Sequence, residues 1–177
     1  MRNSLLLLFL LLFLGACTKP TPRHPVSKKS STFLNESIER NKEQVAFEEM
    51  VIRHLLDSLN LEYRSSGHGF YYRFINEPKP LVDSIEFGDE VTFSYDLQNL
   101  TGTAIYSQES LSPRTYLMEK EPLFSGLREG LKLMQEGDTV DFIFPSYTAY
   151  GYYGDQDKIG KNTILKSRVT ITNVKYN

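Results

Sequence analysis

Apolar residues change their spacing several times along this chain, and each change predicts a different element. Residues 5–14 are an unbroken run of Leu and Phe, preceded by Arg2 and closed by Gly15-Ala16-Cys17. Residues 17–33 are rich in Pro, Ser, Lys and Thr with almost nothing apolar, too little to bury, and read as a flexible tether that reaches about 20 Å on average. From residue 34 to 62 the spacing turns helical. Asn35 or Ser37 can cap, and Val45, Ile52, Leu55, Leu56 and Leu59 fall on one stripe of an amphipathic segment read as two short helices. That stripe must meet the main domain or a partner chain, and packing against its own domain is the favoured reading.

Beyond Ser65-Ser66-Gly67 the period becomes two. Residues 70–74 form a first candidate strand, and the prolines at 78 and 80 then interrupt it. After the turn signal Gly88-Asp89, Val91, Phe93, Tyr95 and Leu97 alternate with polar residues. After Gly137-Asp138 the same grammar returns in Val140, Phe142 and Phe144, and again near the end in Val169 and Ile171. Between them, residues 122–134 place Leu123, Leu127, Leu131 and Met134 on one helical stripe, with Gly137 to stop it. Strands, one helix, then strands predict an α+β domain over residues 66–177: an antiparallel sheet with a helix on one face and an apolar cleft, lined by Tyr-rich loops, at one end.

Composition narrows the chemistry. The net charge of −2 comes without a basic cluster, which argues against nucleic acid. No Cys/His pair at metal spacing and no glycine-rich phosphate loop occurs. The N-terminal order of charge, apolar core and small residues reads as a secretory signal over residues 1–16, and its run falls short of the roughly 20 residues a spanning helix needs. Leu14-Gly15-Ala16-Cys17 resembles a lipobox, which makes Cys17 the expected lipidation site. It is the sole cysteine of the chain, so no internal disulfide can form and an apolar core must stabilise the fold. A lipid anchor at a membrane, facing the periplasm, is the expected location, and Thr18 favours the outer membrane.

The residues 123–131, Leu-Phe-Ser-Gly-Leu-Arg-Glu-Gly-Leu, followed by Met134 and Gly137-Asp138, resemble the central helix of FKBP-type peptidyl-prolyl isomerases. Pro145-Ser146-Tyr147-Thr148-Ala149-Tyr150-Gly151 resembles that family's loop ending in Ala-Tyr-Gly. Residues 159–165 resemble its Ile-Pro-Pro-Asn-x-x-Leu segment, and Tyr95 with the hairpin glycine Gly102 supplies a fourth match in the family's order. The similarity covers residues 67–176. Together with the lipobox it resembles, in particular, gliding-motility-associated FKBP-type lipoproteins.

The resemblance implies a five- or six-stranded antiparallel sheet wrapped around the helix, with no metal and no cofactor. It implies Tyr95, Leu127 and Tyr150 as catalytic residues, Leu127 being the floor of the pocket and the Tyr150 hydroxyl a donor to a substrate carbonyl. Ile105, Tyr106, Leu123, Phe124 and Ile159 complete a substrate-binding wall, where the family offers the backbone N–H of the residue matching Phe124. Three positions depart from the pattern. Tyr106 stands where an Asp is usual, Leu127 where many members have tryptophan, and Ser167 where a pocket phenylalanine is usual, so the pocket is expected to be wider and less aromatic.

Three readings stay open at this point: an isomerase acting on proline-containing segments of exported proteins, a non-catalytic peptide-binding chaperone or assembly lipoprotein, and a structural envelope protein. In the last, the helix would serve as a partner or dimer surface.

Overall fold

The computed structural model describes residues 28–76, 80, 83–111 and 113–177, with side chains from residue 33 onward. The predicted signal, Cys17 and most of the predicted tether lie outside the described residues. The chain divides into two units, Met1–Glu39 and Arg40–Asn177. The described residues of the first are helical, and the sheet, the core and the site belong to the second. Among the described residues no helix is long and apolar enough to cross a membrane.

Helix α1 runs over Lys28–Leu59 as one element, where two short helices were expected, and it starts inside the segment read as tether. The cause is local: no Pro or Gly occurs between Pro25 and Gly67 to break the backbone ladder. Asn60, at φ 49°, ends it in the left-handed conformation that closes many helices. Of the predicted stripe, Ile52 is fully buried and Leu55 and Leu56 are partly so, packed with Val51 on Ile143 and Ile164 of the main domain. Burial of Ile52 alone contributes roughly 1.5–3 kcal/mol. Leu59, though on the same stripe, stays exposed.

Eight strands form one antiparallel sheet. They are β1 (Arg64–Ser65), β2 (Tyr71–Phe74), β3 (Glu90–Tyr95), β4 (Leu97–Gln98), β5 (Ala104–Tyr106), β6 (Arg114–Leu117), β7 (Thr139–Phe144) and β8 (Leu165–Lys175). The order across the sheet is β1-β2-β7-β8-β3-β6, and β4 links β5 to the start of β8. Two short helices, α2 (Gln108–Leu111) and α3 (Ser125–Leu131), complete the fold.

Alternation decides which faces are covered. Val91, Phe93 and Tyr95 of β3 and Leu165, Ser167, Val169 and Ile171 of β8 turn inward, and their neighbours are less buried. Helix α3 lies on that inner face through Leu127 and Leu131, both without exposed surface. It can approach because Gly126 and Gly130 meet the stacked rings of Phe144 and Phe142; a Cβ at Gly126 would stand 2.6 Å from Phe144 Cδ1. Ile143 points the other way, toward α1, so β7 is covered on both faces.

The helix α3 is shorter than the residues 122–134 expected. Phe124 is extended (φ −65°, ψ 146°), and tighter turns carry Leu133 and Met134 onto the carbonyls of Gly130 and Leu131. The two Gly-Asp signals build the same turn. Gly88 and Gly137 take φ 92° and 89°, and Asp89 and Asp138 each accept the N–H three residues back, from Glu86 at 2.8 Å and Gln135 at 2.9 Å.

Candidate functional site

The residues singled out for the cleft come from five separate segments, and the fold brings them into one hydrophobic cluster. Tyr95 ends β3, Leu127 lies in α3 and Ile159 in the loop before β8; all three are buried. Ile105 and Tyr106 on β5, Leu123 and Phe124 ahead of α3, and Tyr150 after the turn Ser146–Thr148 are half-buried against them. Phe124 sits between sheet and loop, its ring 5.2 Å from that of Phe144, edge-on, and 5.3 Å from that of Tyr150. Tyr95 packs at 5.3 Å on Phe93. Cys17, the remaining predicted site residue, lies outside the described residues.

The two phenols share one electrostatic neighbourhood. Burial raises the Tyr150 hydroxyl above the ordinary tyrosine range, Tyr95 and Asp155 add to that, and the Arg114 guanidinium opposes them. A neutral phenol in such surroundings is a hydrogen-bond donor throughout the physiological range. Arg114 donates through Nη1 to the Tyr95 hydroxyl at 3.4 Å and through Nη2 to the carbonyl of Pro122 at 3.0 Å.

The position of Tyr106, where an Asp is usual, is tied to the opposite loop. Its hydroxyl donates to Asp155 Oδ2 at 2.5 Å and to Asp157 Oδ2 at 3.1 Å, with Lys158 Nζ 4.8 Å above its ring. Asp155 Oδ1 accepts the N–H groups of Asp157 at 2.9 Å and Ile159 at 2.7 Å. Burial works against the ionised Asp155, but the donors from Tyr106 and the backbone prevail and hold its carboxyl below the usual range. The result is a loop over residues 154–159 clamped at both ends, with Ile159 presented to the cluster. Gly154, at φ 67°, is required there, since a Cβ would lie 2.1 Å from the Ile159 carbonyl oxygen.

Ser167 turns inward where a phenylalanine is usual and donates its hydroxyl to the Asp96 carbonyl at 2.7 Å. It therefore adds no ring to the cluster. Among the described residues no group of three His, Cys, Asp or Glu side chains is placed to hold a metal ion.

Three contributors had gone unread in the sequence: Arg114, Asp155 and Glu48. Glu48, on α1, is 1% exposed and accepts the N–H of Ser146 at 2.7 Å, the Ser146 hydroxyl at 2.6 Å and Gln44 Nε2 at 2.8 Å. The next residue, Glu49, accepts the hydroxyls of Tyr71 at 2.5 Å and Tyr147 at 3.2 Å. The turn that delivers Tyr150 is thus fastened to the helix behind it.

Comparison with known proteins places this geometry. The family described as FKBP-type peptidyl-prolyl cis-trans isomerase matches residues 83–172. A probable FKBP-type peptidyl-prolyl cis-trans isomerase FkpA of Neisseria meningitidis serogroup B is 28% identical over 115 residues, which is 63% of this chain and 40% of the length of that relative. The crystal structure of FkpA from Escherichia coli superposes with a TM-score of 0.60 at 17% identity, over 99% of this chain and 82% of the other. A peptidyl-prolyl cis-trans isomerase from Pseudomonas syringae pv. tomato does so with a TM-score of 0.57 at 20% identity, covering 76% of this chain and 96% of its own. At these identities the structures speak for the fold. The match over residues 83–172, half of the sequence, settles the family: the chain belongs to the FKBP-type peptidyl-prolyl cis-trans isomerases.

Proposed function

We propose that this protein catalyses cis-trans isomerisation of X-Pro bonds in exported proteins as they fold. One observation carries the reading: Tyr95, Leu127, Tyr150, Phe124 and Ile159, from four separate segments, converge on one apolar and aromatic cluster that includes two phenols, Tyr95 buried and Tyr150 half-buried. The uncatalysed barrier of roughly 18–20 kcal/mol comes from delocalisation of the nitrogen lone pair, and no bond is broken in crossing it. A catalyst of this step needs no nucleophile. It needs a water-poor wall that grips the proline ring and favours the twisted amide, which has lost its resonance, over either planar form. Phe124, half-buried, supplies the wall with Leu127 and Ile159 packed beneath it, and the Tyr150 hydroxyl a donor to a carbonyl of the bound segment. No cofactor or metal enters this chemistry.

The wider setting belongs to the same proposal. Acylation at Cys17 holds the domain at the periplasmic face of the outer membrane, where slow X-Pro isomerisation limits folding of newly exported chains. The likeness to gliding-motility lipoproteins points to envelope clients. Tyr106 and Ser167 favour one competing reading, a cleft that binds proline segments without turning them over, because neither gives the cluster the polar or aromatic group usual at its position.

A protease-coupled isomerisation assay on the full chain in detergent separates the two. We expect a rate above background with at least one X-Pro peptide and a five- to tenfold lower kcat/KM in Tyr150→Phe, the equivalent of one neutral hydrogen bond of about 1 kcal/mol. No rate with any peptide removes the isomerase. Labelling with a palmitate analogue in cells, lost in Cys17→Ala, tests the anchor; an unlabelled wild type would remove it.

A further inference from the structure

Arg114 is an unusual residue to find where it is. In the register of β6 it opposes Phe93 and shares the inner face with Tyr116, which is fully buried. The side chain is itself half-buried, at the edge of the cluster formed by Tyr95, Leu127 and Tyr150. Among the described residues all its partners are uncharged: the Tyr95 hydroxyl, the Pro122 carbonyl and the face of Tyr116, whose centroid is 5.8 Å from the guanidinium carbon. Among the described residues no carboxylate lies within 4.0 Å of it. The nearby acid, Asp155, is occupied by Tyr106 and two backbone N–H groups.

A half-buried cation gives up part of its hydration, and neutral acceptors return only part of it. Two of the five guanidinium N–H donors are used, which leaves three for an incoming acceptor. A carboxylate is the group that matches this fork best in both charge and shape.

We propose that Arg114 selects substrates, favouring X-Pro segments that carry a carboxylate on a residue flanking the proline. The inference rests on the cleft being the substrate site proposed above. A proline ring held against Phe124 and Tyr150 fixes the segment, and the guanidinium beside Tyr95 then meets a side chain next to that ring. Arg114 acts on which segment enters and is not itself part of the rotation.

The test uses the full-length chain in detergent and peptides that differ only at the residue before proline or only at the residue after it, with Glu, Gln, Leu or Lys at that place. Exchange NMR gives kcat/KM at low and high salt. In one of the two sets Glu exceeds Gln by about tenfold, the effect of one charge-assisted hydrogen-bonded pair at a partly exposed site. That ratio shrinks in high salt, falls to about one in Arg114→Met and survives in Arg114→Lys. Equal Glu and Gln rates in the wild type in both sets, or an unchanged ratio in Arg114→Met, overturn the proposal. If Arg114→Met does not fold, the wild-type Glu/Gln ratio and its salt dependence decide alone. If the wild type turns over no peptide, the isomerase reading fails on its own, and dissociation constants for the same Glu/Gln pairs decide this one: a tenfold ratio supports it, equal or absent binding overturns it.

Discussion

Replacing Glu48 by Ala removes the carboxylate that receives both hydrogen-bonding groups of Ser146. The Ser146 N–H is then left in a buried place without an acceptor, at about 1–3 kcal/mol, while its hydroxyl can turn to another acceptor and the partly exposed Gln44 can rehydrate. The void left by the truncated side chain adds about 1 kcal/mol. Relief of the carboxylate's own desolvation works in the opposite direction, so the net cost is about 1–3 kcal/mol, below the sum of its parts. At roughly 2–4 °C per kcal/mol for a chain of this size, the midpoint of thermal unfolding falls by about 2–12 °C. Urea unfolding of the wild type, Glu48→Ala, Ser146→Ala and the double variant gives the coupling directly, and about 1–2 kcal/mol of it is expected between the two sites. The damage also spreads to the cleft, since the turn Ser146–Thr148 precedes Tyr150: amide exchange at residues 146–150 quickens and KM rises more than kcat falls. A loss under about 0.5 kcal/mol, typical of a surface change, would show that the helix only rests on the domain.

Other changes have equally definite outcomes. Gly126→Ala drives a methyl into Phe144 Cδ1 and the Thr148 carbonyl, and should cost about 1–3 kcal/mol in urea unfolding, with the aromatic near-ultraviolet circular dichroism altered. Gly154→Ala meets the Ile159 carbonyl at 2.1 Å and should lower peptide binding more than stability, read by titration against the urea midpoint. Tyr106→Phe frees Asp155 and Asp157 from the β5 side, so NMR exchange broadening should appear across residues 154–159 while the rest of the spectrum is kept. Tyr147 is pushed up to about 12 by burial and then by Glu49. Its neutral form is favoured in the folded state, so the stability it contributes is present below pH 10 and is lost between about pH 10 and 12, as the unfolded phenol ionises first. Unfolding midpoints across that range should drop less in Tyr147→Phe than in the wild type.

The sheet and α3 were legible because their residues obey one period at a time: Val91, Phe93 and Tyr95 alternate, and Leu123, Leu127 and Leu131 recur at helical spacing. The convergence of the candidate site residues on one cluster was legible through motif order, since Tyr150 and Ile159 sit in loops where no period applies. β6 went unread because Arg114 occupies an inward position and breaks the alternation that Tyr116 would otherwise have continued. Glu48 did leave a signal. It falls three residues after Val45 and four before Ile52, on the apolar stripe of α1, and a charge at such a place must find buried donors. Asp155 left none, because its partner Tyr106 is 49 residues away and no spacing rule connects a hairpin to a loop.

The position of β8 sets an order of assembly. It lies in the middle of the sheet, pairing with β7, β3 and β4, yet it follows all three of them along the sequence and is made after them. Until residues 165–175 arrive, β3 and β7 face each other across a gap with unpaired edges and with the rings of Phe93 and Phe142 uncovered. A chain made from its N-terminus therefore completes the middle of this sheet late. Its own prolines, three of them among residues 113–145, have that waiting period in which to reach the right isomer.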